Sequence, residues 1–374
     1  MEFHFSDNDL NGVSIIVPTY QEAGNIEQLV TRLTKAMKAL TPNFEIIIVD
    51  DNSADGSEEI VITLAKQDLP VSILIRTNER GLSSAVLRGF EKAKYNTLVC
   101  MDADLSHAPE DVPRLAALIM QDEADFVLGS RYVKGGKIAG KWGLFRYLNS
   151  WVATALAYPL VRLRDPMSGF FAIRQSLLPK AEPFNPIGYK IALEVAVKAK
   201  PERMQEIPIH FGLREAGESK LSLKEQLFYL QHLKRLYQHR WKTLSQFFLF
   251  CLVGTTGLVV DMGTMFVGYG LIGLSFRYMR FLAFLLAATS NYQLNRMITF
   301  EVKKGQHWLK QWVGFLAASA IGFVGNWLVS VTLYDKTIFF HDHYLLAVIA
   351  GVMAGVVLNF FLSKFAVFES RFFK

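Results

Sequence analysis

Two closely spaced carboxylates are the residues of this sequence best suited to chemistry. Asp102 and Asp104 are separated by one alanine and follow the apolar run 97–101. Hard divalent cations prefer carboxylate oxygens and bridge them to substrate phosphates. We therefore predict that the pair holds Mg²⁺ or Mn²⁺, which would neutralise a departing diphosphate. For the nearby His107, a structural loop histidine before Pro109 is favoured over a further metal ligand.

A third carboxylate, Asp51, closes a second apolar run over 44–49. A carboxylate in this position can accept hydrogen bonds from a base or a ribose. Asp55 or Ser57 can then cap the helix that follows, so capping and ligand binding are compatible. We predict that Asp51 contributes to a nucleotide site.

Three cations lie in loops at the ends of predicted strands or helices. Arg131 follows a strand, while Arg214 and Lys220 flank the segment Gly217-Glu218-Ser219. Guanidinium forks suit phosphate oxygens, and a lysine supplies a point charge. Solvated surface positions are the alternative for each cation. Taken together, the three predict a phosphate site.

The elements that must position these residues alternate between strand and helix over residues 13–132. Near-continuous apolar strands alternating with amphipathic helices predict a mostly parallel sheet with helices on both faces. Ligands of such sheets bind beyond the carboxyl ends of the strands, where Tyr20, Asp51 and Asp102 lie. The predicted strands cover 13–17, 44–49, 71–75, 97–101 and 125–128, and the predicted helices 25–40, 57–66, 82–93 and 109–120.

The last third of the chain differs in composition from the rest. Most of the 40 Lys and Arg and the 34 Asp and Glu lie before residue 243, and long stretches beyond it carry no charge. A membrane span needs roughly 20 apolar residues. Four spans are predicted, near 246–272, 278–298, 311–334 and 344–364, and the second is the weakest because arginines bound its apolar part.

Charge and cysteine content restrict the partners and the compartment. The net charge is +6, and the basic residues crowd near the apolar segments, which favours membrane and phosphate over nucleic acid as partners. Lys and Arg concentrate on one side of the predicted spans, so both termini and the N-terminal domain should be cytosolic.

The two cysteines, Cys100 and Cys251, suggest no disulfide framework, which fits a reducing compartment. The first ten residues lack an apolar core, so we expect no cleavable signal.

Two amphipathic segments, 137–165 and 222–241, mix aromatic and cationic residues. Interfacial helices have this composition, although a core helix with one solvent-exposed face is the alternative.

The membrane segments also repeat internally, since residues 291–301 match residues 359–369 in their Asn, basic and Phe-Glu positions. We predict two duplicated hairpins. The resulting organisation is a catalytic domain over 1–221, an interfacial linker over 222–243 and a four-helix transmembrane domain over 244–374.

Several of these motifs occur together and in order, and as a set they resemble family 2 glycosyltransferases with the GT-A fold. Two later segments, 185–190 and 214–221, resemble dolichyl-phosphate mannose synthase and its polyprenyl-phosphate relatives. The four-span tail is similar to the flippase-like membrane domain fused to some of these synthases. The motifs are Pro18-Thr19-Tyr20-Gln21-Glu22, Val49-Asp50-Asp51-Asn52-Ser53, Gly81-Leu82-Ser83-Ser84-Ala85, Asp102-Ala103-Asp104-Leu105, Gly129-Ser130-Arg131-Tyr132 and Asp165-Pro166-Met167-Ser168-Gly169-Phe170.

The resemblance assigns expected roles to individual positions. It implies that the phosphates of donor and acceptor are gripped by Arg131, Arg214 and Lys220, with Asp104, Arg131 and Arg214 as the catalytic group. It implies that the nucleotide is held by Pro18, Tyr20, Glu22, Val49 and Asp51, and the diphosphate and metal by Asp102, Ala103 and Asp104. Ser106 occupies a metal-ligand position at which the family usually has Gln, and because its hydroxyl is shorter a water would complete the shell.

The implied activity is an inverting transfer of a hexose, first of all mannose from GDP-mannose, to a membrane polyprenyl (dolichyl) monophosphate. UDP-glucose or another nucleotide-sugar is the alternative donor. A processive polysaccharide synthase is a second hypothesis, but Gln238-His239-Arg240-Trp241 is one residue short of the Q-x-x-R-W motif of those enzymes. Translocation of a lipid-linked sugar is a third. Asp261 within the first span is its candidate residue, against a structural pairing with a neighbour such as Asn326. A prokaryotic plasma membrane is the expected location.

Overall fold

The computed structural model describes residues 10–139, 144–181, 183–212, 223–300, 302 and 307–369. The chain divides into two compact units, Met1–Arg240 and Trp241–Lys374. The first unit therefore includes the second amphipathic segment. Each unit is described by itself below.

The first unit is built on a seven-stranded sheet with the order β3-β2-β1-β4-β7-β5-β8. The strands β1, β2, β3 and β4 run parallel to one another, as β5 and β8 do. The predicted mostly parallel sheet is therefore confirmed. Its elements are β1 (Val13–Thr19), α1 (Ala23–Lys38), β2 (Phe44–Asp50), α2 (Ser57–Lys66), β3 (Val71–Ile75), α3 (Leu82–Lys92), β4 (Thr97–Cys100), α4 (Val112–Met120), β5 (Phe126–Ser130), β6 (Lys137–Ile138), α5 (Leu144–Ala157), β7 (Phe171–Arg174), α6 (Ile191–Lys198), β8 (Met204–Pro208), β9 (His210–Phe211) and α7 (Leu223–Arg240).

Two faces of the sheet bury separate hydrophobic clusters. Because side chains alternate along a strand, Ile15 and Val17 face the cluster that includes α1 and α4, while Ile16 faces the cluster that includes α3 and α6. These three side chains are fully buried. Helices on both faces explain why the central strands are apolar at almost every position.

A crevice opens in the sheet between β1 and β4. The register of β1 with β2 continues to the pair Thr19–Asp50, but its register with β4 ends at Ile16–Cys100. The strand order also reverses here, since β2 and β3 lie on one side of β1 and β4 on the other. Such a switch point is where open α/β sheets bind ligands. Proline is tolerated at position 18 because it lies beyond the last pair with β4.

The strand β7 is not among the strands predicted from the sequence. It lies between β4 and β5 and runs antiparallel to both. The chain reaches it from α5, so the segment 165–170 is delivered to the edge of the sheet where β4 and β5 end. Two residues of this segment, Asp165 and Gly169, consequently enter the site described below.

The two amphipathic segments of the first unit pack against each other as α5 and α7. Three side chains of α7 donate hydrogen bonds to backbone carbonyls at α5 or just after it: Tyr229 Oη to Ala153 O at 2.7 Å, Tyr237 Oη to Leu156 O at 2.8 Å and Arg240 Nη1 to Leu160 O at 2.8 Å. Burial raises the pKa of the Tyr229 hydroxyl, which keeps it a donor. Their placement at a membrane surface stays a prediction.

The second unit consists of α8 (Lys242–Met265), α9 (Phe276–Leu294), α10 (Trp308–Lys336), α11 (Ile338–Asp342) and α12 (Tyr344–Leu362). Three helical stretches within the described residues are long and apolar enough to cross a membrane: Lys242–Leu271, Trp308–Lys336 and Leu345–Phe368. The stretch predicted as the weakest span forms the helix α9 but is not among the three.

The internal repeat is visible in the contacts of the second unit. Asn291 of α9 lies against Gly257 of α8, and Asn359 of α12 lies against Gly322 of α10, so closely that a Cβ on either glycine would collide with the asparagine. Each hairpin ends in a π-helical turn, Asn295–Thr299 and Ser363–Phe368. The basic residues of these turns bond the start of the other hairpin: Arg296 Nη1 donates to Gln311 Oε1 at 2.9 Å, and Lys364 Nζ donates to Thr243 Oγ1 at 2.7 Å.

Candidate active site

The polar residues at the strand ends line one cavity of about 1310 Å³ in the first unit. This volume exceeds the roughly 300–1,000 Å³ of ordinary small-molecule pockets, so it has room for a donor and the headgroup of an acceptor. The predicted site residues that line it are Pro18, Tyr20, Glu22, Asp51, Asp102, Ala103, Asp104 and Arg131. Two others do not: Val49 is a buried core residue of β2, and Ser106 lies behind Asp104.

The carboxylate of Asp104 is fixed by its own loop. Ser106 donates two hydrogen bonds to Asp104 Oδ1, from its backbone N at 3.1 Å and from Oγ at 2.5 Å. Leu105, between them, adopts a left-handed conformation with φ of 58°. This costs a non-glycine residue about 1–2 kcal/mol. The turn directs both donors of Ser106 onto Asp104, so the hydroxyl positions the carboxylate, and its predicted role as a metal ligand stays a prediction.

Asp102 is more exposed than Asp104 and faces the cavity. Its side chain is 28% exposed, whereas Asp104 is 7% exposed. A Cβ placed on Gly169 would lie 3.4 Å from Asp102 Oδ1, so the glycine leaves space beside this carboxylate. A larger residue there would press on the carboxylate and fill the space available to a ligand.

The donor set suits a hard divalent cation. Within the described residues, no group of three or more His, Cys, Asp and Glu side chains is arranged to hold a metal ion. The protein therefore offers the two carboxylates of Asp102 and Asp104, with room beside Asp102. Mg²⁺ is commonly bound by one or two carboxylates together with waters and substrate phosphates, so these residues fit such an ion.

His107 packs against the loop that carries Asp102 and Asp104, and it also lines the cavity. It is 2% exposed, stacks on Phe170 with ring centroids 5.0 Å apart and meets the edge of Phe211 at 5.4 Å. The backbone N of Asp102 donates to its Nδ1 at 3.4 Å. Burial lowers the pKa of this histidine, outweighing the opposing effect of Asp102 and Asp104. These contacts agree with the interpretation of His107 as a structural loop residue.

Asp51 is held by a buried arginine that the motif analysis missed. Nε and Nη2 of Arg76 donate to Asp51 Oδ1, the former at 2.7 Å, and the backbone N of Gly81 donates to Asp51 Oδ2 at 2.7 Å. Arg76 also donates to Gly81 O at 3.0 Å. The pair therefore anchors the loop that enters α3, and this loop lines the cavity. Direct binding of a base or ribose by Asp51 stays a prediction.

Arg131, which lines the cavity, forms a largely buried ion pair with Asp165. Its Nε and Nη2 donate to the two carboxylate oxygens of Asp165 at 2.7 and 2.6 Å, and its backbone N donates to Asp165 Oδ2 at 2.9 Å. Asp165 is fully buried, while the Arg131 side chain is 11% exposed. Burial alone would lower the pKa of Arg131, but the hydrogen bonds that it donates to the Asp165 carboxylate raise it above its ordinary value. The guanidinium is therefore permanently charged.

Glu206 fixes this pair from the neighbouring strand. Its carboxylate accepts hydrogen bonds from the backbone N of Arg164 at 2.8 Å and of Asp165 at 3.1 Å. Glu206 belongs to β8, which pairs with β5, and β5 ends just before Arg131. Two adjacent strands thus determine where the Arg131–Asp165 pair lies.

Another wall of the cavity comes from α5 and α7, and most of its side chains are apolar. Val152, Leu156 and Leu230 line the cavity although 41%, 42% and 51% of their surfaces are exposed. Phe228 and Tyr229 belong to the same wall. An open apolar wall facing two carboxylates and a guanidinium is suited to a ligand with one hydrocarbon part and one phosphate part.

Comparison with known proteins matches both parts of the chain to family models. Residues 14–181 match the model "Glycosyl transferase family 2", and residues 249–368 match "GtrA/DPMS, transmembrane domain". A dolichol-phosphate mannosyltransferase from Pyrococcus furiosus is 36% identical over 361 residues, which cover 94% of this chain and 98% of that protein. The chain belongs to the dolichol-phosphate mannosyltransferase family, within glycosyltransferase family 2. It is an integral membrane glycosyltransferase.

Two further proteins resemble this glycosyltransferase over about three fifths of its length. A dolichol-phosphate mannosyltransferase from Saccharomyces cerevisiae is 49% identical over 232 residues, covering 60% of this chain and 86% of that protein. The solved structure of glucosyl-3-phosphoglycerate synthase from Mycobacterium tuberculosis with Mn²⁺, uridine diphosphate and glucosyl-3-phosphoglycerate is 20% identical. It covers 61% of this chain and 79% of its own, with a TM-score of 0.45.

Several predicted residues of the glycosyltransferase stay untested. Arg214 and Lys220 lie outside the described residues. Asp261 is a half-buried residue of α8, and its part in translocation stays a prediction. Within Gln238-His239-Arg240-Trp241, Arg240 bonds the carbonyl of Leu160, a structural contact in the first unit. This agrees with setting that motif aside.

The structure places three further residues in the cavity lining or directly behind it, and the sequence motifs did not assign them to the site. Arg80 lies over the ring of Tyr20 at 5.5 Å, Asp165 is the counterion of Arg131, and Lys190 is a third cation in the wall. Asp165 and Lys190 both belong to motifs that carry the family resemblance, so the motifs contained them. Their roles could be assigned only after the fold placed them beside Arg131 and Asp102.

Proposed function

We propose that this glycosyltransferase moves mannose from GDP-mannose to the phosphate of a membrane polyprenyl lipid. The observation that carries the proposal is the cavity in which the Asp102 and Asp104 carboxylates and the Arg131–Asp165 pair face an apolar wall. The full-length relative from Pyrococcus furiosus, named for dolichol phosphate and mannose, supports the choice of acceptor and sugar. The catalytic unit would face the cytosol, where nucleotide-sugars are found.

The acceptor needs little activation before it attacks. A phosphate monoester has a second pKa of about 6, so it is largely dianionic at neutral pH. Catalysis can then rest on positioning and on stabilising charge. One phosphate oxygen attacks the anomeric carbon, the bond from that carbon to the nucleoside diphosphate breaks, and the electron pair leaves with the diphosphate. Attack from the opposite side inverts the anomeric configuration.

Different residues of the cavity would contribute to different parts of this transfer reaction. Asp102 and Asp104 would hold a divalent cation, which when bound neutralises the diphosphate that departs. Arg131, held in place by Asp165 and Glu206, would orient the incoming phosphate. The wall from α5 and α7 would hold the first isoprene units and exclude water. Val49 could contribute only through its backbone, because its side chain is buried in the core.

A panel of donors tests the proposal directly. Purified full-length protein would be incubated with polyprenyl phosphate, Mg²⁺ or Mn²⁺ and radiolabelled GDP-mannose, UDP-glucose or another nucleotide-sugar. We expect label from GDP-mannose in the organic phase as a single lipid-linked sugar. Label from UDP-glucose alone would replace the donor but keep the reaction class. A polymeric product, or no label in lipid with any donor, would contradict the proposal.

A further inference from the structure

Lys190 is a cation of the cavity that the proposed division of roles does not use. It directly precedes α6, and its side chain lines the cavity together with Tyr189 and Gly188. The Nζ atom donates a hydrogen bond to Met167 O at 3.1 Å and lies 4.2 Å from the centroid of the Tyr189 ring. Both contacts point the amine into the cavity.

The charged groups near Lys190 do not make it one half of a structural ion pair. In the described part of the chain, no carboxylate lies within salt-bridge distance of its amine. Burial first, and then the positive charge of Arg131, lower the pKa of Lys190 to about 7 against the opposing effects of Asp165, Asp102 and Glu225. The amine is therefore divided between its neutral and charged forms near neutral pH.

Lys190 lies where the polar and apolar parts of the cavity meet. Met167, whose carbonyl accepts its hydrogen bond, is two residues from Gly169 beside Asp102. On the other side, a Cβ on Gly188 would lie 3.5 Å from Glu225 and 3.7 Å from Phe228, both of α7. A phosphate whose lipid chain follows α5 and α7 reaches this junction before it reaches the metal-binding carboxylates.

Resting on the proposed function, we propose that Lys190 binds the phosphate of the lipid acceptor and holds the one proton that enzyme and acceptor share in the reactive complex. When the neutral amine meets an acceptor monoanion, the phosphate O–H bond breaks and an N–H bond forms, which leaves an ammonium beside a dianion. The same complex forms from an ammonium and a dianion without proton transfer. Arg131 is already balanced by Asp165, so Lys190 supplies the additional positive charge that the dianion requires.

This role predicts a bell-shaped pH profile of kcat/KM for the acceptor. Below about pH 6 the phosphate and the amine are both protonated, which is one proton too many. As the pH rises through about 7, the free amine loses its proton while the phosphate is already a dianion, and the complex is lost. The charged groups that face Lys190 are Arg131, Asp165, Asp102 and Glu225.

Two variants and a matched control test the inference on full-length protein with saturating donor. Lys190→Met removes the charge, Lys190→Arg keeps it at all accessible pH values, and Lys66→Met makes the same change at an exposed position of α2. We expect Lys190→Met to raise the KM for polyprenyl phosphate about tenfold or more, as for a lost charged hydrogen bond, while the KM for the nucleotide-sugar changes less than about twofold.

Lys190→Arg should retain much of the acceptor affinity and should lose the alkaline limb of the profile. An acceptor KM in Lys190→Met that stays within about twofold of the wild type overturns the inference alone, as does an alkaline limb that persists in Lys190→Arg. A wild-type protein that transfers no sugar to lipid overturns the proposed function and the inference with it. The melting temperatures of both variants, compared with that of Lys66→Met, establish that they are folded.

Discussion

At the scale of single residues, the site depends on carboxylates that are held in place by polar neighbours. Asp104 is fixed by Ser106, Asp51 by Arg76 and the Gly81 backbone, and the guanidinium of Arg131 by Asp165. Each of these supports fixes a side chain before a ligand binds. Because fixed dipoles and charges need no reorganisation during the reaction, this arrangement is favourable for a transfer that relies on positioning.

Asp104→Asn tests the assignment of the metal-binding carboxylates. The amide keeps the size of the side chain but loses the charge that a divalent cation requires. We expect sugar transfer to fall by at least about a hundredfold, measured with radiolabelled donor and lipid phosphate. Asp68→Asn, at an exposed turn, is the matched control. Full activity in the Asp104 variant would show that the metal assignment is wrong.

Asp165→Asn tests the buried ion pair. The change leaves the guanidinium of Arg131 without its counterion at an almost fully buried position. The loss of one partner of a buried ion pair typically lowers the free energy of unfolding by about 3–5 kcal/mol. We expect a clear fall in melting temperature together with loss of transfer. In the double variant Asp165→Asn with Arg131→Met, no unpaired charge is left, so part of the thermal stability should return. A double variant that is less stable than either single variant would contradict this account of the pair.

At the scale of elements, the strands and helices of the early part of the first unit can be predicted from the local hydrophobic pattern of the sequence. The predicted strand over 71–75 and helix over 57–66 have the same bounds in the structure as β3 and α2, and the other predicted strands up to 128 differ by a few residues. The strands beyond residue 132 are short and leave little local pattern. The strand β7 has only four residues, and its antiparallel insertion between β4 and β5 depends on partners far away in the chain.

The apolar wall from α5 and α7 makes a prediction about the acceptor. Leu156→Gln and Leu230→Gln should each raise the KM for a long-chain polyprenyl phosphate about tenfold or more, because burying a leucine side chain contributes roughly 1.5–3 kcal/mol. The KM for the nucleotide-sugar should not change. Leu148→Gln, on α5 but outside the cavity lining, is the matched control. An equal effect of all three substitutions would indicate a general membrane effect and not an acceptor wall.

At the scale of the whole molecule, the chain combines a doubly covered α/β unit with a membrane unit built from two similar hairpins. In the second unit the end of each hairpin bonds the beginning of the other through Arg296 and Lys364. The glycine–asparagine contact is repeated within each hairpin. Small residues allow such close approach between membrane helices, where packing and polar contacts replace the hydrophobic effect.

Gly322→Ala tests this packing. Its Cβ would lie 2.8 Å from the Cβ of Asn359 and 3.1 Å from Gly355 O, so α10 and α12 would have to separate. Overpacking of this kind costs about 1–3 kcal/mol, and we expect a lower melting temperature in detergent. Gly254→Ala is the matched control, because nothing lies within 4 Å of its added Cβ. Equal melting temperatures of the two variants would contradict the proposed helix contact.

The sequence by itself determined the element types of the first 130 residues, the apolar membrane helices and the polar groups at the strand ends. These features are local, since hydrophobic period and strand-end residues can be read within one segment. Only the tertiary structure decided the partners: Arg76 for Asp51, Asp165 for Arg131, and the place of Lys190 between the carboxylates and the apolar wall. Each pairing joins residues distant in the chain, and the charge state of a lysine depends on the burial and the neighbours that folding creates.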